Sequence, residues 1–125
     1  FGFDMAAYLP RIDTIHMPDE DRFISHADFT ATYLHELVHW TGSKTRLNRL
    51  TGAAFGTPDY AKEELTAELG AAFMTAELGV DSDRVRHPSY LANWLAALKQ
   101  DAKFIFNVAS LSKTAVEFLK ENSQA

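Results

Sequence analysis

Apolar residues recur with helical spacing over three long stretches of the chain. Residues 25–41 open on a serine that can cap a helix and meet no helix breaker before Gly42. Residues 57–78 open on a threonine cap followed by proline and stop at Gly79. Residues 101–121 place apolar side chains mainly three or four positions apart. Each stretch therefore predicts an α-helix.

Two short extended stretches precede these helices. Residues 5–9 and 14–17 are each followed directly by proline, which closes a strand, and together they predict a small hairpin or edge sheet. A further helix is expected after Pro88. The pattern predicts an α+β, mainly helical fold with a small N-terminal β-hairpin or edge sheet and about four helices. We expect residues 1–125 to form a single domain, because this length buries a real core.

Composition narrows the classes of function. The chain has no cysteine, so disulfides and thiolate metal sites are excluded, and a cytoplasmic protein is expected. Its net charge of −5 argues against a nucleic-acid clamp, and no apolar run approaches the roughly 20 residues that span a membrane. The chain also begins without methionine inside an apolar stretch. We therefore expect a soluble fragment of a longer protein, with no membrane partner and an oligomeric state that the sequence does not define.

The first predicted helix contains the pattern H-E-x-x-H at residues 35–39. Residues four apart lie on one helix face, so His35 and His39 can bind one ion, for which zinc is expected and another divalent metal is an alternative. Glu36 points about 100° away, where it can act as general base toward water that attacks a carbonyl. This spacing predicts metal-assisted hydrolysis of peptide bonds, with a protein or peptide as substrate.

The pattern also has an ordinary explanation. A chain of this size carries H-E-x-x-H by accident on the order of one time in a hundred. The two histidines share a polar stripe with Asp28 and Thr32, as on any amphipathic helix. The motif alone therefore leaves a solvated helix face open.

The second predicted helix carries three glutamates that could complete a site. Glu63 falls on a polar face with Lys62, Thr66 and Glu77, so we expect it to face solvent. Glu64 and Glu68 fall on the opposite, apolar face, where an unpaired carboxylate is unfavourable by several kcal/mol. We expect Glu64 to bind the metal and Glu68 to accept the far ring N–H of a ligand histidine.

Buried salt bridges are the alternative for these two carboxylates. Their partners would come from three nearby cations, Arg46, Arg49 and Lys62.

Several blocks of sequence together resemble a known family. HELVHWTGSKTRLNR, YAKEELTAELGAAFMTAELG and SYLANWLAALKQD, preceded by AAYLPRIDTIHMP, resemble the zincin-like C-terminal domain of ArdC-type antirestriction proteins. Plasmid TraC-type primases and phage polyvalent proteins carry related domains. The resemblance implies a mobile-element protein that protects incoming DNA from host restriction. It also implies that single-stranded DNA is bound only through an N-terminal domain outside this chain.

The resemblance also implies roles for individual residues. It implies metal ligands at His35 and His39, a catalytic Glu36, and a third ligand within the pair Glu63 and Glu64. The E-x-x-x-E spacing is similar to that of glutamate-ligand zincins, the gluzincins, and this favours Glu64 of the pair.

Other residues are weaker candidates. Tyr60, His87 and Tyr90 could stabilise an oxyanion or contact substrate, with surface positions as the alternative. Residues 14–17 could be an edge strand along which a peptide adds, or an ordinary edge strand. The basic residues within 44–49 could contact DNA, or form a solvated loop after a helix end.

Three classes of function remain open. The first is an active peptidase. The second is a metal-binding but non-proteolytic module that protects DNA by occluding a host enzyme. The third is a domain with a purely structural metal, which is disfavoured because such sites usually have four protein ligands and only three are apparent.

Overall fold

A computed structural model of the chain describes residues 2–50, 52, 57–81 and 102–123, together with residues 92, 96 and 99. Within them, two short strands and a 3-10 turn precede three α-helices. The elements are β1 (Ala7–Leu9), β2 (Thr14–His16), the 3-10 turn Glu20–Arg22, α1 (His26–Thr41), α2 (Pro58–Leu78) and α3 (Ala102–Ser123). The mainly helical α+β fold is confirmed. In the region of the helix expected after Pro88, residues 92, 96 and 99 are helical. The rest of that region lies outside the described residues, as do His87 and Tyr90.

The N-terminal strands form the predicted hairpin. β1 and β2 pair antiparallel with Tyr8 opposite Ile15, and Asp13 in the turn adopts a positive φ of 50°, which aspartate tolerates better than most residues. The Tyr8 hydroxyl donates a hydrogen bond of 2.6 Å to the Asp13 carboxylate. The hairpin packs against α1, so its position relative to that helix is defined.

The helices begin and end where capping residues stand. The Ser25 hydroxyl accepts from the Asp28 amide at 3.1 Å at the start of α1, and the Thr57 hydroxyl accepts from the Tyr60 amide at 3.3 Å at the start of α2. Gly79 ends α2 in the left-handed region, at φ 69°. These contacts satisfy amides that a helix end otherwise leaves unpaired.

The core lies where α1, α2 and α3 meet. Val38 of α1, Ala67 of α2 and Ala115 of α3 form one fully buried cluster. Gly70 lets α1 and α2 approach closely, because a Cβ there would lie 2.8 Å from a methyl group of Val38. This close contact also brings together the polar residues of α1 and α2. Among the described residues, no helix has the length and apolar character needed to cross a membrane.

Candidate metal centre

Two histidines of α1 face each other on the side that meets α2. The Nε2 atoms of His35 and His39 are 3.2 Å apart, and both side chains are buried. Their spacing of four residues places them one above the other on the helix, as the sequence predicts. Both nitrogens therefore point at the same small volume.

Glu64 of α2 completes a cluster of three donors. Its Oε2 lies 3.3 Å from Nε2 of His35, and its Oε1 lies 3.1 Å from Nε2 of His39. One ligand atom from each residue lies within 4.8 Å of the others. Two ligands about 2.1 Å from a tetrahedral zinc ion are about 3.4 Å apart, so these separations fit a divalent metal. Two imidazoles and one carboxylate are also the donor set of a common type of catalytic zinc site.

The charges within the cluster are strongly coupled. Burial alone would lower the pKa of His39, but hydrogen bonds and charge from Glu63 and Glu64 outweigh it and raise that pKa to about 9. Burial alone would raise the pKa of Glu64, but hydrogen bonds from His35 and His39 and their charge hold it well below its ordinary value. Without metal, a proton on His39 therefore compensates part of the glutamate charge.

Glu36 lies beside this cluster, with contacts to a different element. Its side chain is buried, and its Oε1 accepts the backbone N–H of Tyr8 at 3.0 Å. Since Tyr8 lies in β1, the hairpin orients this carboxylate. Glu36 is next to His35 in sequence, so the helix turns its side chain away from the two Nε2 atoms.

The prediction that Glu63 faces solvent is wrong. Only 16 % of its side chain is exposed, and its Oε2 lies 2.7 Å from Nδ1 of His39. Glu63, rather than Glu68, is thus the acceptor for the far nitrogen of His39. The predicted role of Glu68 toward the other histidine stays a prediction.

The error has a physical cause in the packing of α2. Thr66, placed on the same polar face by helical phase, is fully buried, and the Ser112 hydroxyl of α3 donates to its carbonyl at 2.9 Å. Because α2 contacts both α1 and α3, the polar face of α2 that was predicted to face solvent is partly buried.

Arg49, in the loop after α1, neutralises Glu63. Its Nε lies 2.6 Å from Oε1 of Glu63, and its Nη2 lies 3.0 Å from Oε2. This fork makes both carboxylate oxygens acceptors of charge-assisted bonds. The sequence included Arg49 among the cations able to meet a buried carboxylate, but no spacing rule connects a loop residue to Glu63.

Two of the three cations in the basic loop, Arg46 and Arg49, make internal contacts. Arg46 binds the carboxylate of Asp13 and stacks over the Trp40 ring, with 3.9 Å between Cζ and the ring centroid. Arg49 binds Glu63. Lys44 is the exposed cation of the three. The interpretation of this loop as a DNA contact stays a prediction, with Lys44 as its exposed cation.

The cluster opens into a cleft of about 790 Å³. Residues of β1 line one wall, whereas the predicted substrate strand, residues 14–17, contributes none of its described residues to the lining. Tyr60 also lines the cleft and hydrogen-bonds to Glu64; burial, then the charges of Glu64 and Glu36, raise the pKa of Tyr60. The structure thus brings Tyr60, the glutamates and the histidines to one cleft.

Comparison with known sequences identifies relatives of this arrangement. The sequence profile of the zincin-like metallopeptidase family MPTase-PolyVal matches residues 1–111. A DNA primase TraC of Escherichia coli is 41 % identical over 116 residues, which are 93 % of this chain and 11 % of that protein. An uncharacterized protein of Sinorhizobium fredii is 36 % identical over 94 % of this chain and 39 % of its own length.

Solved structures agree with the sequence comparison. The Mn(II)-bound crystal structure of the antirestriction protein ArdC from plasmid R388 superimposes with a TM-score of 0.81 at 41 % identity, over 95 % of this chain and 44 % of ArdC. The metal-free ArdC structure gives a TM-score of 0.77. The chain spans less than half the length of each of these relatives.

Proposed function

Since the chain belongs to the zincin-like metallopeptidase family, we propose that it is the zinc-dependent peptidase domain of a mobile-element antirestriction protein. The observation that carries this proposal is the cluster of three donors, 3.1 to 3.3 Å apart, with a buried glutamate beside it. His35, His39 and Glu64 would hold the metal. Zinc is proposed from the donor set, and manganese is the alternative because it is the metal bound in the related ArdC structure.

The residues of the cleft suggest how hydrolysis would proceed. A bound divalent metal would polarise the carbonyl of the scissile bond and lower the pKa of a water molecule. Glu36 accepts a proton from the attacking water as the water oxygen bonds to the carbonyl carbon. It then gives that proton to the leaving amine as the C–N bond breaks. The Tyr8 amide supports this role because it holds one Glu36 oxygen in place.

Tyr60 is the proposed donor to the carbonyl oxygen. Its hydroxyl already contacts Glu64 and lines the cleft, and its raised pKa keeps it protonated as a donor when negative charge develops on the substrate. The proposed substrate is a protein or peptide, which would pass between β1 and the helices. The roles suggested for His87 and Tyr90 fall outside the described residues and stay predictions.

The proposed context is a longer protein. The chain covers 44 % of ArdC. We propose that DNA protection and the binding of single-stranded DNA belong to the whole protein, with the DNA contact in a separate domain. The acidic composition of this chain supports that division.

A non-proteolytic role is the second candidate. It is favoured by the names of the relatives, which describe an antirestriction protein and a primase rather than a peptidase. In that case the metal would organise a surface that occludes a host enzyme.

Glu36→Gln separates the two candidates. The variant should keep its metal, measured by elemental analysis, while hydrolysis of a peptide library falls by about 10² to 10⁴ fold, because a general base is lost. His35→Ala, which should lose both, is the control. If restriction protection by the longer protein survives Glu36→Gln undiminished, proteolysis is not the biological act. Full peptidase activity in that variant would contradict the mechanism.

A further inference from the structure

We propose that Glu63 and Arg49 are positioning residues that hold the His39 ring in its metal-binding orientation. The inference rests on the proposed metal site. Glu63 accepts from Nδ1 of His39 at 2.7 Å, which leaves Nε2 directed at His35 and Glu64. An imidazole whose Nδ1 carries the proton presents the lone pair of Nε2, the atom that faces the other two donors.

Arg49 fixes the acceptor itself. Its fork contacts both oxygens of Glu63, at 2.6 and 3.0 Å, so the carboxylate cannot rotate without losing a charge-assisted bond. The same guanidinium donates to the carbonyl of Val38 at 2.7 Å and to the hydroxyl of Thr41 at 3.2 Å. Arg49 therefore connects α2 to the last turn of α1, on both sides of His39 in sequence.

The backbone leaves room for this arginine. A Cβ on Gly42 would lie 2.9 Å from Nη2 of Arg49, 3.0 Å from its Cζ and 3.1 Å from Cγ of Leu50. The Arg49 amide also donates to the Gly42 carbonyl at 2.8 Å. Gly42 ends α1 with a negative φ of −83°, so left-handed geometry does not explain the glycine. The close positions of the guanidinium and of Leu50 do.

The neighbouring residues Glu64 and Glu63 have different roles in this arrangement. Glu64 reaches the Nε2 atoms, and Glu63 reaches the opposite side of one histidine ring. Loss of a group that orients a ligand histidine typically weakens metal binding by about 10 to 100 fold. The loop after the H-E-x-x-H motif thus supports the metal site through the contact of Arg49 with Glu63.

The test measures affinity for Zn²⁺ and Mn²⁺ by competition with a chromophoric chelator, on the longest available form of the protein. Glu63→Ala and Arg49→Ala should each weaken binding by about 10 to 100 fold. Glu63→Gln keeps an acceptor and should recover part of the loss relative to Glu63→Ala. Gly42→Ala should weaken binding in the same direction, because it displaces the guanidinium without removing any charge.

Arg46→Ala is the matched control. Arg46 lies in the same loop and is similarly buried, but it contacts Asp13 and the Trp40 carbonyl instead of Glu63. It should lower the melting temperature of the metal-free protein while leaving metal affinity within about threefold, well below the change expected for a support of a ligand histidine. In the zinc-loaded protein, the His39 Nδ1 proton should exchange slowly with water by NMR, and faster in Glu63→Ala.

The outcomes distinguish the two proposals. The proposed metal site fails if the unaltered protein binds no metal, or if His35→Ala binds metal as tightly as the unaltered protein. If it binds metal through His35, yet the Glu63 and Arg49 variants bind as tightly as Arg46→Ala, the positioning role is overturned.

Discussion

Two arginines in one short loop hold two different elements against α1. Arg46 ties the hairpin to the end of the helix through Asp13, and Arg49 ties α2 to the same helix end through Glu63. We call these the hairpin side and the α2 side. On the hairpin side the Tyr8 amide orients Glu36, whereas on the α2 side Glu63 orients His39.

The difference between the two sides lies in exposure. The side chain of Asp13 is 49 % exposed, whereas that of Glu63 is 16 % exposed. An exposed ion pair contributes little to stability, whereas removing one partner of a buried pair leaves an uncompensated charge. We therefore expect changes on the α2 side to affect metal binding and stability together. Changes on the hairpin side should act mainly on the orientation of Glu36, the proposed general base.

Removal of Glu64 should break the α2 side most strongly. Glu64→Ala should lose most metal affinity, because one of three donors disappears. A ligand at one hundred times its Kd stabilises the folded state by about 2.7 kcal/mol, and this increment should vanish. Thermal melting with and without EDTA measures it. A variant that still melts lower in EDTA would show that the metal is held without Glu64.

The pH dependence of the metal-free protein should single out the α2 side at alkaline pH. His39 has a pKa raised from 6.5 to about 9, so its stabilising contribution is complete below about pH 6.5 and is lost as pH rises through about 9. Asp13 behaves in the opposite way: Arg46 and Tyr8 lower its pKa, so its contribution is present above the ordinary value and is lost as pH falls.

Urea unfolding of EDTA-treated protein from pH 6 to 10 tests this contrast. Stability should fall across the alkaline range, and His39→Gln should flatten that fall, whereas Asp13→Asn should not. If the free energy of unfolding of His39→Gln falls by the same amount at alkaline pH, groups other than His39 cause the pH dependence.

Gly70→Ala should weaken the contact between α1 and α2 that both sides depend on. The added methyl group would meet Val38 at 2.8 Å, and overpacking of this kind typically costs about 1 to 3 kcal/mol. Urea unfolding gives the value. The double variant with Val38→Ala should be less destabilised than the sum of the single changes, because it removes the clash. Simple additivity would argue against the close approach.

Asp13→Asn should produce the smallest effect and confine it to the hairpin side. Asparagine tolerates the positive φ at this position, so the change removes the charge and largely spares the turn. The free energy of unfolding should fall only slightly, as for an exposed ion pair. Metal affinity should stay unchanged, while peptide hydrolysis decreases because the hairpin that holds Glu36 is looser. A loss of metal affinity equal to that of Arg49→Ala would remove the distinction between the sides.

Much of the helical framework was predictable from local residues. Ser25 and Thr57 cap their helices, and Gly79 ends α2, as their side chains or backbone freedom require. The facing pair His35 and His39 was predictable too, because the geometry within one helix depends only on spacing. The hairpin followed from two apolar stretches, although which strand would line the cleft did not.

The partners of the glutamates depended on tertiary structure. The regular rotation of a helix gives the angles between Glu63, Glu64 and Glu68 around its axis. It does not say which faces of the helix are buried by neighbouring elements. Here α2 packs against both α1 and α3, so Glu63 is covered and meets His39. Arg49 lies in a loop, where no repeating geometry relates its position in sequence to its position in space. The sequence alone therefore determined contacts within a helix, because these follow from its regular rise and rotation. Contacts between helices and the loop were decided only when packing brought distant residues together.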